Sequence, residues 1–251
     1  MPMIGCHCPT CSSRNPKDKR TNASLLIERQ GANILIDCGR DFRIQALRED
    51  IQRVDHLFLT HTHFDHIAGI DDLRVFNHSQ SAPIPVYGKE EHLSYLKEHI
   101  YHYLFDKGQQ RGGGVARLEL LALGGPIKVQ GLLFEPLPVF HGQQQIYGYR
   151  FGGCAYISDV SSIPDETLER LKDLEILIVD ALRFRSHPTH FNLEQALEVV
   201  NRLKPSRTYL THMCHDILHD EVERGLQDPS SGYYNAHSVH LAYDGLSLSV
   251  E

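Results

Sequence analysis

The strand-like run VDHLFLT, residues 54–60, leads straight into HTHFDH, residues 61–66. Three histidines and an aspartate within six positions constrain this chain more than any other feature. At a strand-to-loop turn, side chains two residues apart can aim at one point, so His61 and His63 are expected to converge on one metal ion. Asp65 and His66 begin the helical stretch that follows and face a second ion. Neutral imidazoles suit zinc and related transition metals, and the carboxylate adds a hard oxygen ligand. Three more candidate ligands close strand-like runs: His141 after EPLPVF, Asp159 after CAYIS and His212 after RTYLT. A strand end is where a scaffold can hold a ligand rigidly over a site.

The rest of the pattern asks for a fold with many such strand ends. The run ASLLIERQGANILIDCG (23–39) reads as a hairpin turning at Gly31, Ala32 and Asn33. Helical spacing follows over 63–76, a strand over 84–88, a helix over 89–105 and a flexible stop at QQRGGG (109–114). Further strands are expected over 116–123, 127–139, 146–153 and 154–159, and a helix from Pro164. Strand LEILIVDAL, helix LEQALEVVNRLK, strand SRTYLTH, helix DILHDEVERGL and the final VHLAYDGLSLSV complete the chain. The first half thus reads as a β-rich meander and the second as alternating α and β. That pattern suggests an α+β fold with two sheets packed face to face and helices outside, a four-layer αβ/βα sandwich. An ordinary three-layer α/β domain fits the periodicity almost as well, so the motifs decide. No linker, low-complexity tract or repeat divides the sequence, and a single domain over residues 1–251 is expected.

Composition narrows the function classes. With 41% hydrophobic and 23% charged residues over 251 positions, the chain has the make-up of a soluble globular protein. A net charge of −7 gives no general pull towards nucleic acid or anionic membrane, although it leaves room for a local basic patch. No apolar run approaches the roughly 20 residues that span a bilayer. The N-terminus lacks the charged-then-apolar layout of a secretory signal, so a cytoplasmic location and reduced cysteines are expected.

The order HxHxDH, lone histidine, aspartate after a strand, late histidine resembles the metallo-β-lactamase superfamily of binuclear metallohydrolases over nearly the whole chain. The resemblance implies that His61, His63 and His141 bind a first divalent metal (zinc or manganese). Asp65, His66 and His212 would bind a second, and Asp159 would bridge the two. Asp37, in DCG after the hairpin, matches the superfamily's Asp-x-Gly and would receive the N–H of a metal histidine. Within the superfamily, MIGCHCPTC, HPTHFNLEQAL, LTHMCH and AYDGL resemble the PhnP group, the phosphoribosyl 1,2-cyclic phosphate phosphodiesterases of phosphonate breakdown. Members of that group usually begin with a glycine-rich strand ahead of the cysteines. Here Met1-Pro2 stands where the strand would end, so either the strand is dispensable or the start lies further upstream.

The resemblance implies hydrolysis of a small cyclic phosphodiester by a metal-bridging hydroxide. His190, in HPTH, would act beside the leaving group as general acid or oxyanion stabiliser, with Asp159 as the other catalytic residue. His187 has a weaker case for touching substrate. Arg183 and Arg185 could meet a phosphate but read first as a solvated basic stretch, and Asp71 and Asp72 as flanking the helix after the first site. The substrate would be the main partner, with no membrane; a homodimer stays open. Two other readings compete with this one. A nuclease of the tRNase Z kind would want a long basic arm, for which 88–114 is the only insertion-like segment. A non-hydrolytic protein resembling the PqqB group would be expected to have lost ligands, whereas all seven positions are filled.

Cys6, Cys8 and Cys11 are a separate matter. Three closely spaced cysteines in a reducing compartment suggest zinc, and a structural zinc wants four ligands. A redox centre would prefer a plain CxxC beside a βαβ unit. In the PhnP group the fourth ligand is a histidine three residues after the last catalytic-site histidine, which is His215 here; His219 is the fallback. Cys38, Cys154 and Cys214 read as small buried apolar residues.

Overall fold

The computed structural model describes residues 1–80, 82–106 and 114–250; most of the expected flexible stop at 109–114 lies outside the described residues. The chain divides into two compact units, Met1–Thr21 with Leu133–Glu251, and Asn22–Leu132. Its first element is the helical turn α1 (Pro9–Ser12), with proline in the first turn and Cys8 as N-cap, the Cys8 sulfur accepting the Cys11 N–H.

The unit Asn22–Leu132 opens on a hairpin of β1 (Leu25–Arg29) and β2 (Ala32–Ile36). The turn is Gln30-Gly31, with φ of 51° and 75°, and Ala32 and Asn33 are already paired in β2. Positive φ at both central residues is the two-residue geometry that matches strand twist, which is why the turn sits one step earlier than the sequence suggests. After the hairpin the unit is no meander. Strands β3 (His56–Phe58), β4 (Ile84–Gly88) and β5 (Leu118–Ala122) run parallel to β2 in the order β1-β2-β3-β4-β5. Helix-length connections between the strands make that direction accessible. They hold α2 (Phe42–Arg48), α3 (Phe64–Ile67), a 3-10 helix (Ile70–His78), α4 (Glu90–Tyr95), a π-helical turn (Leu96–Ile100) and α5 (His102–Phe105). Leu35, Leu57, Leu59, Ile67, Ile70 and Leu96 belong to one buried cluster, each contributing on the order of 1.5–3 kcal/mol by leaving water. The run expected as one strand over 127–139 breaks at Gln130-Gly131, with φ of 49° and 76°, separating β6 (Ile127–Val129) from the next strand.

In the other unit, β7 (Leu132–His141), β8 (Gln144–Phe151) and β9 (Cys154–Ile157) form the antiparallel meander. Strands β10 (Ile176–Asp180), β11 (Arg207–Thr211) and β12 (Val239–Leu241) continue from β9 in parallel, giving the order β12-β11-β10-β9-β8-β7. Helix α6 (Asp165–Arg170) follows Pro164, α7 (Leu193–Leu203) starts at an Asn192–Gln195 capping box, and α8 (His219–Gln227) closes the set. Ala196, Leu197 and Val200 on α7 pack with Val139, Ile157 and Val179 in a second buried cluster. Among the described residues no helix is long and apolar enough to cross a membrane.

Candidate metal centre

Three of the expected site residues stand at strand ends in left-handed backbone. Asp37 after β2 has φ 62°, Asp159 after β9 has φ 56°, and His212 after β11 has φ 56°. Each such non-glycine residue costs on the order of 1–2 kcal/mol, so the surrounding contacts must hold it there.

In the unit Asn22–Leu132 those contacts fix the histidines' protons as well as their positions. Asp37 is fully buried and accepts the Thr60 N–H at 2.9 Å and the Thr60 hydroxyl at 2.9 Å. It also lies 2.8 Å from His66 Nδ1. A carboxylate only accepts, so His66 carries its proton on Nδ1 and presents a lone pair on Nε2. Thr60 has one hydroxyl hydrogen and gives it to Asp37. Its oxygen, 3.0 Å from His61 Nδ1, therefore accepts from that ring, and His61 also presents Nε2. The His61 ring centroid lies 4.5 Å from that of His63 and 4.3 Å from that of His66, and His66 Nε2 is 3.6 Å from Asp65. The close packing under this loop demands glycine at position 39, where an added Cβ would come within 2.0 Å of the Asp65 carbonyl.

The other unit brings together His141, Asp159, Asp180, His190 and His212. The Thr189 carbonyl accepts from His141 Nδ1 at 2.8 Å, which again leaves the lone pair on Nε2. Gly142 has φ 62°, and its Cα approaches Thr189 so closely that a Cβ would lie 2.9 Å from the Thr189 methyl. Asp159 accepts the Ser158 hydroxyl at 2.6 Å, and its oxygens lie 3.2 Å from His212 Nε2 and 3.8 Å from His190 Nε2. The His190 and His212 rings are stacked, 5.0 Å apart and 10° from parallel. On their far side sits Asp180, fully buried, with Oδ2 2.8 Å from His190 Nδ1 and 3.1 Å from the Val160 N–H, and Oδ1 3.9 Å from His212 Nδ1. Burial pushes the Asp180 carboxyl up from the usual carboxylate range, while His190 and His212 pull it back. With Oδ2 committed to two donors, Asp180 anchors the His190 ring by a hydrogen bond.

Three rings that each commit Nδ1 to a hydrogen bond, with aspartates at hand, fit the ligation habits of zinc and similar divalent metals, in which the ring's other nitrogen is held by an acceptor. Sequence reasoning missed Thr60, Thr189 and Asp180. For Asp180 a signal existed: a carboxylate closing the apolar run LEILIV is buried and must find partners.

Elsewhere, Cys6, Cys8, Cys11 and His215 offer ligand atoms that all lie within 4.8 Å of one another. His215 Nδ1 is 3.3 Å from Cys6 Sγ and 3.5 Å from Cys8 Sγ. The N–H of Cys11, and then His215, pull the Cys8 thiol down to about 6 against the effect of desolvation. Four such ligands match a closed tetrahedral zinc site. His219 is instead buried against Tyr243, its backbone N–H donating to the Asp18 carboxylate. Cys38 is fully buried and Cys154 nearly so, with burial pushing Cys154 up to about 11; Cys214 is only partly buried. Asp71 accepts from the Tyr103 hydroxyl and Asp72 pairs with Arg43 at 3.5 Å.

A family model described as a β-lactamase superfamily domain matches residues 32–213. The chain belongs to that family and has the metallo-β-lactamase fold, the α+β class expected from its sequence. A solved structure described as a new diphosphatase from the PhnP family matches with a TM-score of 0.89 and 40% identity, covering 100% of this chain and 93% of the other. The chain is therefore a PhnP-like member of the superfamily. A protein of Porphyromonas gingivalis named octanoyltransferase is 36% identical over the whole of this chain, which spans about half (49%) of that protein's length. A ribonuclease Z of Staphylococcus haemolyticus is 25% identical over 82% of this chain and 87% of its own length.

Proposed function

We propose that this chain hydrolyses a small phosphodiester, of the ribosyl 1,2-cyclic phosphate kind, with two divalent metals, zinc or manganese. In this reading His61, His63 and His141 would hold one metal, Asp65, His66 and His212 would hold the other, and Asp159 would serve both, the whole chain acting as one hydrolase domain. Bound there, the metals would supply a nucleophile at neutral pH and Lewis-acid polarisation of a phosphoryl oxygen. The protein's own part is acid–base work and orientation. His190, held through Nδ1 by buried Asp180, keeps its Nε2 beside the Asp159 carboxylate. From there it can give a proton to a departing alkoxide, and Asp180 stabilises the imidazolium before transfer. This buried Asp180–His190 pair next to Asp159 is the observation that carries the proposal. Cys6, Cys8, Cys11 and His215 hold a third, structural zinc in the same reading, and the protein works in the cytoplasm.

A second reading has one observation behind it. The PhnP-family relative at 40% identity is described as a diphosphatase, so the scissile bond could be a phosphoanhydride between two substituted phosphates. The name of the Porphyromonas relative is said of a protein about twice as long. Purified protein with manganese or zinc, offered bis(p-nitrophenyl) phosphate, 2′,3′-cyclic nucleotides, ribosyl 1,2-cyclic phosphates, a diphosphate diester and a tRNA precursor, tests these readings together. Turnover of the small diesters, abolished by Asp159→Ala, is expected. Turnover of the tRNA precursor alone would replace the proposal with a nuclease, and no turnover of any would remove it.

A further inference from the structure

Strand β12 is the edge of its sheet, paired with β11 on one side and tied to α8 on the other. From α8, Glu223 Oε2 accepts the Leu241 N–H at 2.7 Å, and the Gln227 amide donates to the Val239 carbonyl at 2.9 Å. Side chains two residues apart on a strand leave the same face. Ser238, just ahead of β12, therefore stands beside His240. Ser238 Oγ lies 3.1 Å from His240 Nε2, and Glu223 Oε1 lies 2.7 Å from His240 Nδ1. A carboxylate only accepts, so Nδ1 carries the proton. The neutral ring then keeps a lone pair on Nε2, which accepts the Ser238 hydroxyl hydrogen.

The backbone around the serine is fixed as well. The Ser238 carbonyl accepts the Thr208 N–H at 2.7 Å, and the His237 N–H donates to buried Asn235 at 2.9 Å. The hydroxyl itself is open to solvent: Ser238 is exposed and the His240 side chain is 38% exposed, so a small molecule can reach both. The Tyr209 ring, 5.9 Å from that of His240, offers a flat surface next to them. A hydroxyl within reach of a base that a third group orients is the arrangement of an activated nucleophile. It is recognised by geometry, whatever the order of the residues along the chain. An exposed serine has water for a partner and needs no imidazole, so the alignment of all three groups carries the inference.

We propose that Ser238, His240 and Glu223 form a second catalytic site, which attacks small activated carboxylic esters and carries the acyl group on Ser238. Its residues belong neither to the metal centre nor to the cysteine cluster, and it stands apart from the phosphodiesterase reading. Ser238 Oγ bonds to the ester carbonyl carbon as its proton passes to His240 Nε2. The bond from that carbon to the leaving oxygen then breaks, and His240 returns the proton to the departing alcohol. Water repeats the sequence on the acyl-serine, releasing the carboxylic acid and restoring the Ser238 hydroxyl. Glu223 stays ionised throughout, holding the Nδ1 proton and stabilising the transient imidazolium.

The test treats the whole chain and its variants Ser238→Ala, His240→Gln and Glu223→Gln with p-nitrophenyl acetate and with diisopropyl fluorophosphate. In the second reagent the serine oxygen displaces fluoride from phosphorus and the adduct is stable. Peptide mass spectrometry is expected to place one adduct of either kind on Ser238, and none at that position in Ser238→Ala. The rate of Ser238 labelling should fall at least about tenfold in His240→Gln. Glu223→Gln, which keeps the volume and removes the charge, should slow it by a smaller factor. Urea-unfolded wild type gives the same comparison without a substitution: Ser238 should then label no faster than the chain's other serines. An unlabelled Ser238 in the folded wild type overturns the proposal, as does acetylation that falls on Cys8 while Ser238 stays bare. A labelling rate that neither His240→Gln nor unfolding lowers overturns it too.

Discussion

His190 Nδ1 stands 2.8 Å from Asp180 Oδ2, and the two residues are 9% and 0% exposed. Ten positions apart in sequence, they form a buried imidazole–carboxylate pair whose other end faces Asp159. Asp180→Asn keeps the volume but removes the charge that stabilises a protonated His190. We expect kcat to fall roughly 10²–10⁴-fold on substrates with alkoxide leaving groups. The fall should be much smaller with p-nitrophenolate, which departs without a proton. Steady-state kinetics on both substrate types check this. A uniform loss across them would mean that the pair orients metal ligands instead of assisting the leaving group.

Asp37 holds His66 directly and His61 through Thr60. Removing the carboxylate in Asp37→Ala unties both rings, and metal affinity should weaken about 10–100-fold. Thr60→Val cuts the connection to His61 alone and should have the smaller effect. Competitive metal titration against a chromophoric chelator orders the two variants. Equal affinities in wild type and Asp37→Ala would refute the relay.

Gly39→Ala is a steric test of the ligand loop. The new methyl would sit 2.0 Å from the Asp65 carbonyl oxygen and 2.9 Å from the Asn22 Cβ, where neither the backbone nor its neighbour can move cheaply. A loss of about 1–3 kcal/mol is expected from the overpacking. Thermal unfolding reads the stability, and metal analysis should show reduced loading as Asp65 and His66 shift.

The cysteine cluster gives a prediction in pH. The Cys8 thiol is lowered from 9.0 to about 6, a depressed acid, so its thiolate favours the folded state. That contribution is complete above pH 9, fades as pH falls towards 6 and is absent below it. In chelator-treated protein, alkylation of Cys8 should reach half its maximal rate near pH 6. Cys154, pushed up to about 11, and fully buried Cys38 should stay unlabelled until the protein unfolds. Mass spectrometry of the alkylated peptides locates the label. Zinc should protect Cys8, and Cys8→Ser should bind one metal ion fewer per chain; protection absent with zinc present would argue against the structural zinc.

Much of the candidate site could be read before any coordinates, because its ligands end apolar strand runs and their residue types have few other uses in such a pattern. The strands themselves were legible for the same reason, although their directions were not. The sequence cannot say whether β2, β3, β4 and β5 turn back or cross over, and the structure makes them parallel. The left-handed turns at Asp37, Asp159 and His212 were also hidden, since none of these residues is glycine.

By itself, then, the sequence determined the donor set and its order along the chain: imidazoles, carboxylates and thiolates, together with the strands that carry them. Tertiary structure alone decided where each proton lies and which buried carboxylate stands behind which ring. Thr60, Thr189 and Asp180 are ordinary residues in their local runs, and their roles come from what long-range packing sets against them. A hydrogen bond of 2.8 Å between side chains ten residues apart depends on the register of β9 with β10 and the fold of one loop. No local propensity encodes that distance.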